Sequence, residues 1–321
     1  DFRDRIVHHL VINRILPYLE EKGFIDDSYS CRKGKGTLYG IKRAEKQLKE
    51  CTDNYTKDAY ILKGDFKGFF MSIDKRLLFK MISTFVNDIQ DIQDDEKEFI
   101  IWTLKLIIFN CPQKNCTING NRKRWNDLPK DKSLFSCDDY HGLPIGNLSS
   151  QICANFYLLS FDKYMKDTFK YYGRYVDDFF AFSTNKDVLL NILPVIRKTL
   201  KIRLNVTLHP KKIYLQHYTK GMKFIGAVIK PNRLYVSNRT IGNFISTIRY
   251  YNNIINTNNE LTKNEIHNLY CSINSYLGLM QHYKSRNVKL KIIRHTSFQP
   301  FYKYFYFDKN IKKIHIYEAY Q

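Results

Sequence analysis

A chain of 321 residues, 44% of them hydrophobic, is long enough to bury one large core or two smaller ones, and with no run of about 18 apolar residues it offers no membrane-spanning helix. Its 52 Lys and Arg against 31 Asp and Glu give a net charge of +21, and His209–Gln321 alone carries 18 basic and 4 acidic residues, a balance suited to a polyanionic partner. Seven cysteines without a repeated CxxC spacing argue against a disulfide framework and point to a reducing cytoplasm, Cys111, Cys116, Cys137 and His141 reading as free groups and not as a zinc site.

In chain order, the spacing of Ile6, Leu10, Ile15 and Leu19 predicts a helix from Arg5 to Glu20, closed by a turn at Gly23. A loop with three cations and two glycines follows, Cys31-Arg32-Lys33-Gly34-Lys35-Gly36, and then a helix from Leu38 to Cys51. The apolar run Ala59–Leu62 predicts a buried strand that delivers Asp65 at its end. Helices fit Lys75 to Val86 and Asp94 to Phe109, the second with acids in its first turn, where the helix dipole favours them. Asn110 to Tyr140 reads as a polar insertion, and one long helix is expected from Asn147 to Phe169. Two apolar runs between Tyr171 and Ser183 flank Asp177-Asp178 and predict a hairpin with acids at its tip. A helix over Lys186–Leu200, short strands at Ile213–Gln216, Lys223–Ile229 and Leu234–Val236, and helices at Arg239–Ile255, Thr262–His282 and Val288–His295 complete the reading. The class is α+β: a mostly antiparallel sheet backed by helices, then a basic helical lobe.

Phosphoryl transfer from a nucleotide is served by oxygen ligands that converge on two divalent ions. Asp65 and Asp177 are 112 positions apart, yet neighbouring strands would bring them face to face, and hard Mg²⁺ prefers such carboxylates. Read alone, Asp177-Asp178 would be an ordinary turn pair. Interleaved Tyr and Phe, 24 and 22 in all, suit sugar packing and base stacking in a nucleic-acid groove.

Tyr175-Val176-Asp177-Asp178 resembles the YxDD box of reverse transcriptases, and Asp65-Phe66-Lys67-Gly68-Phe69-Phe70 with Ser72-Ile73-Asp74 resembles the first catalytic motif of that family. Gly142-Leu143-Pro144-Ile145-Gly146, His209-Pro210-Lys211-Lys212 and Phe224-Ile225-Gly226 follow in the family's order, as nucleotide-binding motif, lysine motif and primer grip. The resemblance implies a right-hand polymerase, with fingers and palm over 1–236 and a helical thumb over 237–321. It implies Asp65, Asp177 and Asp178 as ligands of two Mg²⁺ ions (Mn²⁺ as a substitute), helped by the Phe66 carbonyl, and Lys212, or Lys211, as proton donor. Phe70 falls at the steric-gate position that selects deoxynucleotides. Lys67, Gly68, Phe69, Gly146, Asn147 and Gln151 are then expected at the substrate, and Arg3, Arg5, Arg32, Lys33 and Lys35 fall where fingers grip triphosphate and template, about half of them in contact.

Ile145 stands where the common pattern has Gln. With Trp125-Asn126-Asp127-Leu128-Pro129, Lys132-Ser133-Leu134-Phe135 and Ser272-Ile273-Asn274-Ser275-Tyr276-Leu277-Gly278, it resembles the reverse transcriptases of diversity-generating retroelements. That branch implies a bacterial or phage enzyme that makes cDNA from a structured template RNA, errs opposite adenines, and works with a small basic accessory protein forming a helical-bundle oligomer. Rival readings are a retron-like or phage-defence reverse transcriptase that copies faithfully, and a non-catalytic RNA-binding scaffold, against which the intact acids weigh.

Overall fold

The computed structural model describes residues 2–121, 125, 127–258 and 260–320; Asn126 of the insertion lies outside them. The chain divides into two compact units, Asp1–Tyr218 and Thr219–Gln321.

The first unit is built on a four-stranded antiparallel sheet, in the order β2-β3-β1-β4, of β1 (Tyr60–Asp65), β2 (Tyr171–Tyr175), β3 (Asp178–Ser183) and β4 (Tyr214–His217). Because side chains alternate along a strand, Leu62 on β1 and Phe179 and Ala181 on β3 turn into a core that also holds Phe66, Phe161 and Tyr172. Burying each of the Leu and Phe side chains among them contributes about 1.5–3 kcal/mol. The helices of this unit are α1 (Phe2–Tyr18), α2 (Thr37–Cys51), the single turn α3 (Phe69–Ser72), α4 (Lys75–Asn87), α5 (Asp94–Phe109), α6 (Leu148–Tyr157), α7 (Leu159–Thr168) and α8 (Lys186–Leu204). Leu78, Ile82 and Val86 of α4 share that core with Ile100, Leu104 and Ile108 of α5. The Asp74 carboxylate caps α4 by accepting from the amides of Arg76 and Leu77, and Asn185 caps α8 in the same way.

Two sequence expectations change here. Asn147–Phe169 is not one helix: the chain breaks at Leu158, wholly buried with ψ of 7°, into α6 and α7. A straight rod over that length would run about 35 Å, and the bend lets both halves bury apolar sides in the same core. The first helix ends at Tyr18, one residue after Pro17, in a wider π turn over Leu19–Gly23.

The second unit pairs a three-stranded antiparallel sheet of β5 (Met222–Phe224), β6 (Ala227–Lys230) and β7 (Arg233–Val236) with the helices α9 (Asn238–Asn258), α10 (Lys263–Met280) and α11 (Arg286–His295). The strand expected over Lys223–Ile229 is thus a hairpin, turned at Ile225-Gly226, both with positive φ as a tight two-residue turn demands. Thr262 and Glu265 form a capping box at the start of α10. A final hairpin, β8 (Phe305–Phe307) and β9 (Ile314–Ile316), was not foreseen from the sequence. Phe244, Ile248, Leu269, Ile273, Ile292, Phe301 and Ile314 fill this unit's own core. The Phe224-Ile225-Gly226 turn belongs to this unit, which begins before residue 237. Among the described residues, no helix is long and apolar enough to cross a membrane.

Candidate active site

Antiparallel pairing sets Asp65, the last residue of β1, directly opposite Asp178, the first of β3. Asp177 occupies the two-residue turn between β2 and β3, and its carbonyl accepts from the Phe66 amide at 3.1 Å. The three acids expected to cooperate are therefore brought to one end of the sheet. Burial, reinforced by the charge of Asp65, raises the Asp177 carboxyl above its ordinary range. Burial raises Asp178 to about 6, against the opposing pull of Lys63.

Two ammonium groups attend these carboxylates. Lys212 donates to both oxygens of Asp65, at 3.1 and 2.9 Å, and Lys63 donates to Asp178. Lys63 was not singled out in the sequence, although a Lys two residues before Asp65 on a strand shares its face. Among the described residues, no three His, Cys, Asp or Glu side chains are gathered closely enough to hold a metal ion alone. The arrangement still suits Mg²⁺, which takes one or two carboxylates and completes its shell with water and substrate phosphate. Crowded acids that hold their protons too tightly are relieved by a divalent cation.

The turn that carries Asp177 is held from the interior. Val176 has φ of +56°, a costly conformation for a β-branched residue. Its N–H donates to the Ser30 hydroxyl at 3.3 Å, and its carbonyl accepts from Arg174 Nη1 at 2.7 Å. Arg174 is completely buried, and Asp162 receives its Nε and Nη2 at 2.7 and 2.5 Å. Asn155 accepts from Arg174 and from Ser30, and Tyr172 donates to Asp162 at 2.7 Å. In the 27–30 segment, Tyr29 N–H donates to the Arg174 carbonyl and Arg174 N–H to that of Asp27, each at 2.9 Å. The sequence signal for this network was a charged residue, Arg174, between apolar neighbours of a strand.

The other expected site residues separate into groups. The Phe66 and Phe69 rings lie in the core, so a contact of either with substrate would come from the backbone. Gly68 has φ of +53°, and a Cβ there would lie 2.5 Å from the Asp131 carbonyl oxygen, so the close approach of the insertion needs glycine. Lys67 is exposed, and a cavity of about 400 Å³ opens beside it, bordered also by Gly68, Lys130, Asp138 and His141. Half-buried Phe70 accepts through its carbonyl from Leu143 N–H at 2.9 Å, and Gly142 N–H donates to the Ile73 carbonyl at 3.0 Å. The nucleotide-motif loop is thereby tied to α3. Ile145 is 70% exposed on that loop, next to Gly146 with φ of +109°, while Asn147 precedes α6 and Gln151 lies in its first turn.

Arg3, Arg5 and Lys33 are exposed. Lys35 pairs with Asp26 at 2.6 Å. Arg32 does not offer itself to a substrate: only 8% exposed, it is bonded to Glu20 and to the carbonyls of Ile25 and Ser28, because a guanidinium so buried requires a full set of acceptors. Phe224 is buried, Ile225 half-buried and Gly226 exposed, all within the second unit.

Among solved structures, telomerase from Candida tropicalis with a TWJ fragment of telomeric RNA aligns at 14% identity and a TM-score of 0.53, over 92% of this chain and 46% of that one. The C. tropicalis apo telomerase truncated from the C-terminal domain aligns at 14% identity and 0.49, over 72% and 45%, and Candida albicans telomerase with a TWJ fragment at 11% and 0.45, over 92% and 52%. This chain spans about half the length of those proteins, and the first likeness supports a shared fold. No curated protein matches. The family model described as reverse transcriptase (RNA-dependent DNA polymerase) matches residues 1–229, and with β1 and β3 presenting their acids together, the chain belongs to the reverse transcriptase family.

Proposed function

We propose that this chain extends a DNA strand along an RNA template, with Asp65, Asp177 and Asp178 as the acids that hold two divalent ions. The observation that carries the reading is the direct cross-strand pairing of Asp65 with Asp178, beside an Asp177 whose carboxyl the charge of Asp65 helps to raise. Mg²⁺, or Mn²⁺ in its place, would be held by these acids and the Phe66 carbonyl and would supply charge neutralisation and activation of the 3′-hydroxyl.

The remaining work falls to the chain's own groups. Lys212, 2.9 Å from Asp65, can turn from that carboxylate to the pyrophosphate and give it a proton. Phe70 stands at the position where a ring collides with a ribose 2′-hydroxyl. Exposed Arg3, Arg5 and Lys33 supply cations for triphosphate and template, and the basic second unit suits phosphate contacts along a duplex.

Within the family, the reading favoured here is the diversity-generating branch, with a structured template RNA and a small basic helical-bundle partner. Ile145 supports it: an exposed aliphatic side chain on the nucleotide-motif loop cannot donate the amide hydrogen bonds of a Gln, so checking of the templating pair loosens.

Primer extension on an RNA template, followed by sequencing of the cDNA, tests these statements. Asp177→Ala should abolish extension and leave RNA affinity intact; an unaffected rate would overturn the assignment of the acids. Errors focused on template adenines, reduced in Ile145→Gln, support the mutagenic branch, whereas faithful copying by the unaltered protein favours a retron-like or defence role.

A further inference from the structure

The last hairpin of the second unit has an unusual outer face. On an antiparallel pair with one side packed against a core, the other side is ordinarily polar. Here Phe305 and Ile314 are wholly buried, while the outward positions carry Tyr306, His315 and, just past the strand, Tyr317. Tyr306 and His315 are register partners and stack at 5.2 Å with an interplanar angle of 20°, and Tyr317 lies 5.0 Å from Tyr306. Tyr306 is 44% exposed and Tyr317 43%, so the cluster keeps ring surface open to solvent.

The charge beside this face is mainly positive, with exposed Glu318, next to Tyr317, on the acidic side. Lys309, Lys312 and Lys313 are exposed on the connection between β8 and β9, whose one acid, half-buried Asp308, accepts from the Lys312 amide at 2.6 Å. The same connection forms one wall of a cavity of about 480 Å³ lined by Lys284, Arg286, Lys289 and Lys312, with Asn287 and Asn310 and without a carboxylate. Lys289, 5% exposed, reaches the Ile311 carbonyl at 2.9 Å, and Lys284 reaches that of Asn232 at 3.4 Å. None of these four cations is in an ion pair among the described residues. The Ser285 hydroxyl donates to the Met280 carbonyl and leaves the first turn of α11, at the cavity's edge, without a side-chain cap.

We propose that this hairpin is a binding site for single-stranded nucleic acid, its bases stacked on Tyr306 and Tyr317 and a neighbouring phosphate held in the cationic cavity. Aromatic rings beside cations are the chemistry that grips a single strand with little regard to sequence. Charge excludes an acidic-residue-free cavity as a seat for another basic surface, and exposed π faces fit bases better than a second buried core. The site lies in the second unit alone and goes beyond the polymerase reading.

The test is fluorescence anisotropy of the full chain with labelled oligo-dT and oligo-rU of about 12 nucleotides, and with an abasic strand of equal length. Replacing both rings, Tyr306→Leu with Tyr317→Leu, should weaken oligo-dT binding about tenfold or more, while Tyr306→Phe with Tyr317→Phe preserves it. Arg286→Glu with Lys312→Glu should weaken both strands and reduce the log–log salt slope by about 1.4. Tighter rU than dT binding would assign the site to RNA, and the reverse to the product strand; either supports it.

Unchanged binding by the Leu pair, or an abasic strand held as tightly as oligo-dT, would overturn the proposal. So would a concentration-dependent dimer that the Leu pair dissolves with no change in oligonucleotide affinity. Asp177→Ala, assayed in parallel for primer extension, reads the polymerase assignment separately. Loss of extension in that variant beside an inert Leu pair sinks the platform alone, and retained extension beside an active Leu pair sinks the polymerase assignment alone.

Discussion

Arg174 bonds both to Asp162 and to the carbonyl of Val176, and this double engagement lets its contribution to folding be separated from its contribution to aiming Asp177. Replacing Arg174 by Met leaves the Asp162 carboxylate, 2% exposed, with Tyr172 as its remaining donor among the bonds described. Stranding a buried charge in this way costs about 3–5 kcal/mol. Adding Asp162→Leu removes the stranded charge, so the double variant should recover most of that loss, since a buried ion pair exchanged for apolar side chains is often near neutral. The Val176 carbonyl, 2.7 Å from Arg174 Nη1 in the native protein, has lost its donor in both variants. Val176 then relaxes from its φ of +56° and carries Asp177 with it. A displacement of about 1 Å is enough to lower a rate about 100-fold. Urea unfolding should show stability returning in the double variant, while single-turnover primer extension stays about 10- to 100-fold slow, with the defect in kcat and not in KM for deoxynucleotide. Recovery of extension in step with stability would refute the reasoning and reduce Arg174 to a folding residue.

A second expectation concerns acid. Burial alone would raise the Asp27 carboxyl, but hydrogen bonds from Arg43 and Lys166 overcome it and hold the group below its ordinary range. Its stabilisation is therefore present above the unfolded value of about 3.8 and disappears as pH falls through the lower folded value; the urea-midpoint advantage of wild type over Asp27→Asn should shrink accordingly, and an advantage that grows with acid would contradict it. Gly64→Ala should destabilise by about 1–3 kcal/mol or more, since its Cβ would lie 2.3 Å from the Phe179 ring inside the core; an unchanged unfolding midpoint would show that the ring moves freely. Phe70→Val should admit ribonucleotides at least tenfold more readily in extension assays, with deoxynucleotide use changed less, and equal discrimination would remove Phe70 as the gate.

Much of this protein was legible in one dimension because the relevant physics is local. Apolar runs ending in Asp65 and flanking Asp177-Asp178 specify strands that carry acids at their ends, and the helical spacings of α2, α4, α5 and α8 follow from side chains repeating on one face. The hairpin itself is likewise a short-range matter, although its turn is Val176-Asp177 and not Asp177-Asp178, Asp178 already belonging to β3. What the sequence could not express was which distant groups would meet. The pairing of Asp65 with Asp178 follows from strand order, as does the attachment of Lys63 to one acid and Lys212 to another. The bend at Leu158 was hidden because no Gly or Pro marks it between Asn147 and Phe169, and only the shape of the core makes two short helices better than one long one. Arg32, expected among the cations at triphosphate and template, is buried, a fact hidden in one dimension because the depth of a side chain is set by its neighbours in space: Glu20 and two carbonyls enclose it. The β8–β9 hairpin escaped for a related reason, since each of its strands is three residues long and becomes a strand only when its partner and the core beneath are present.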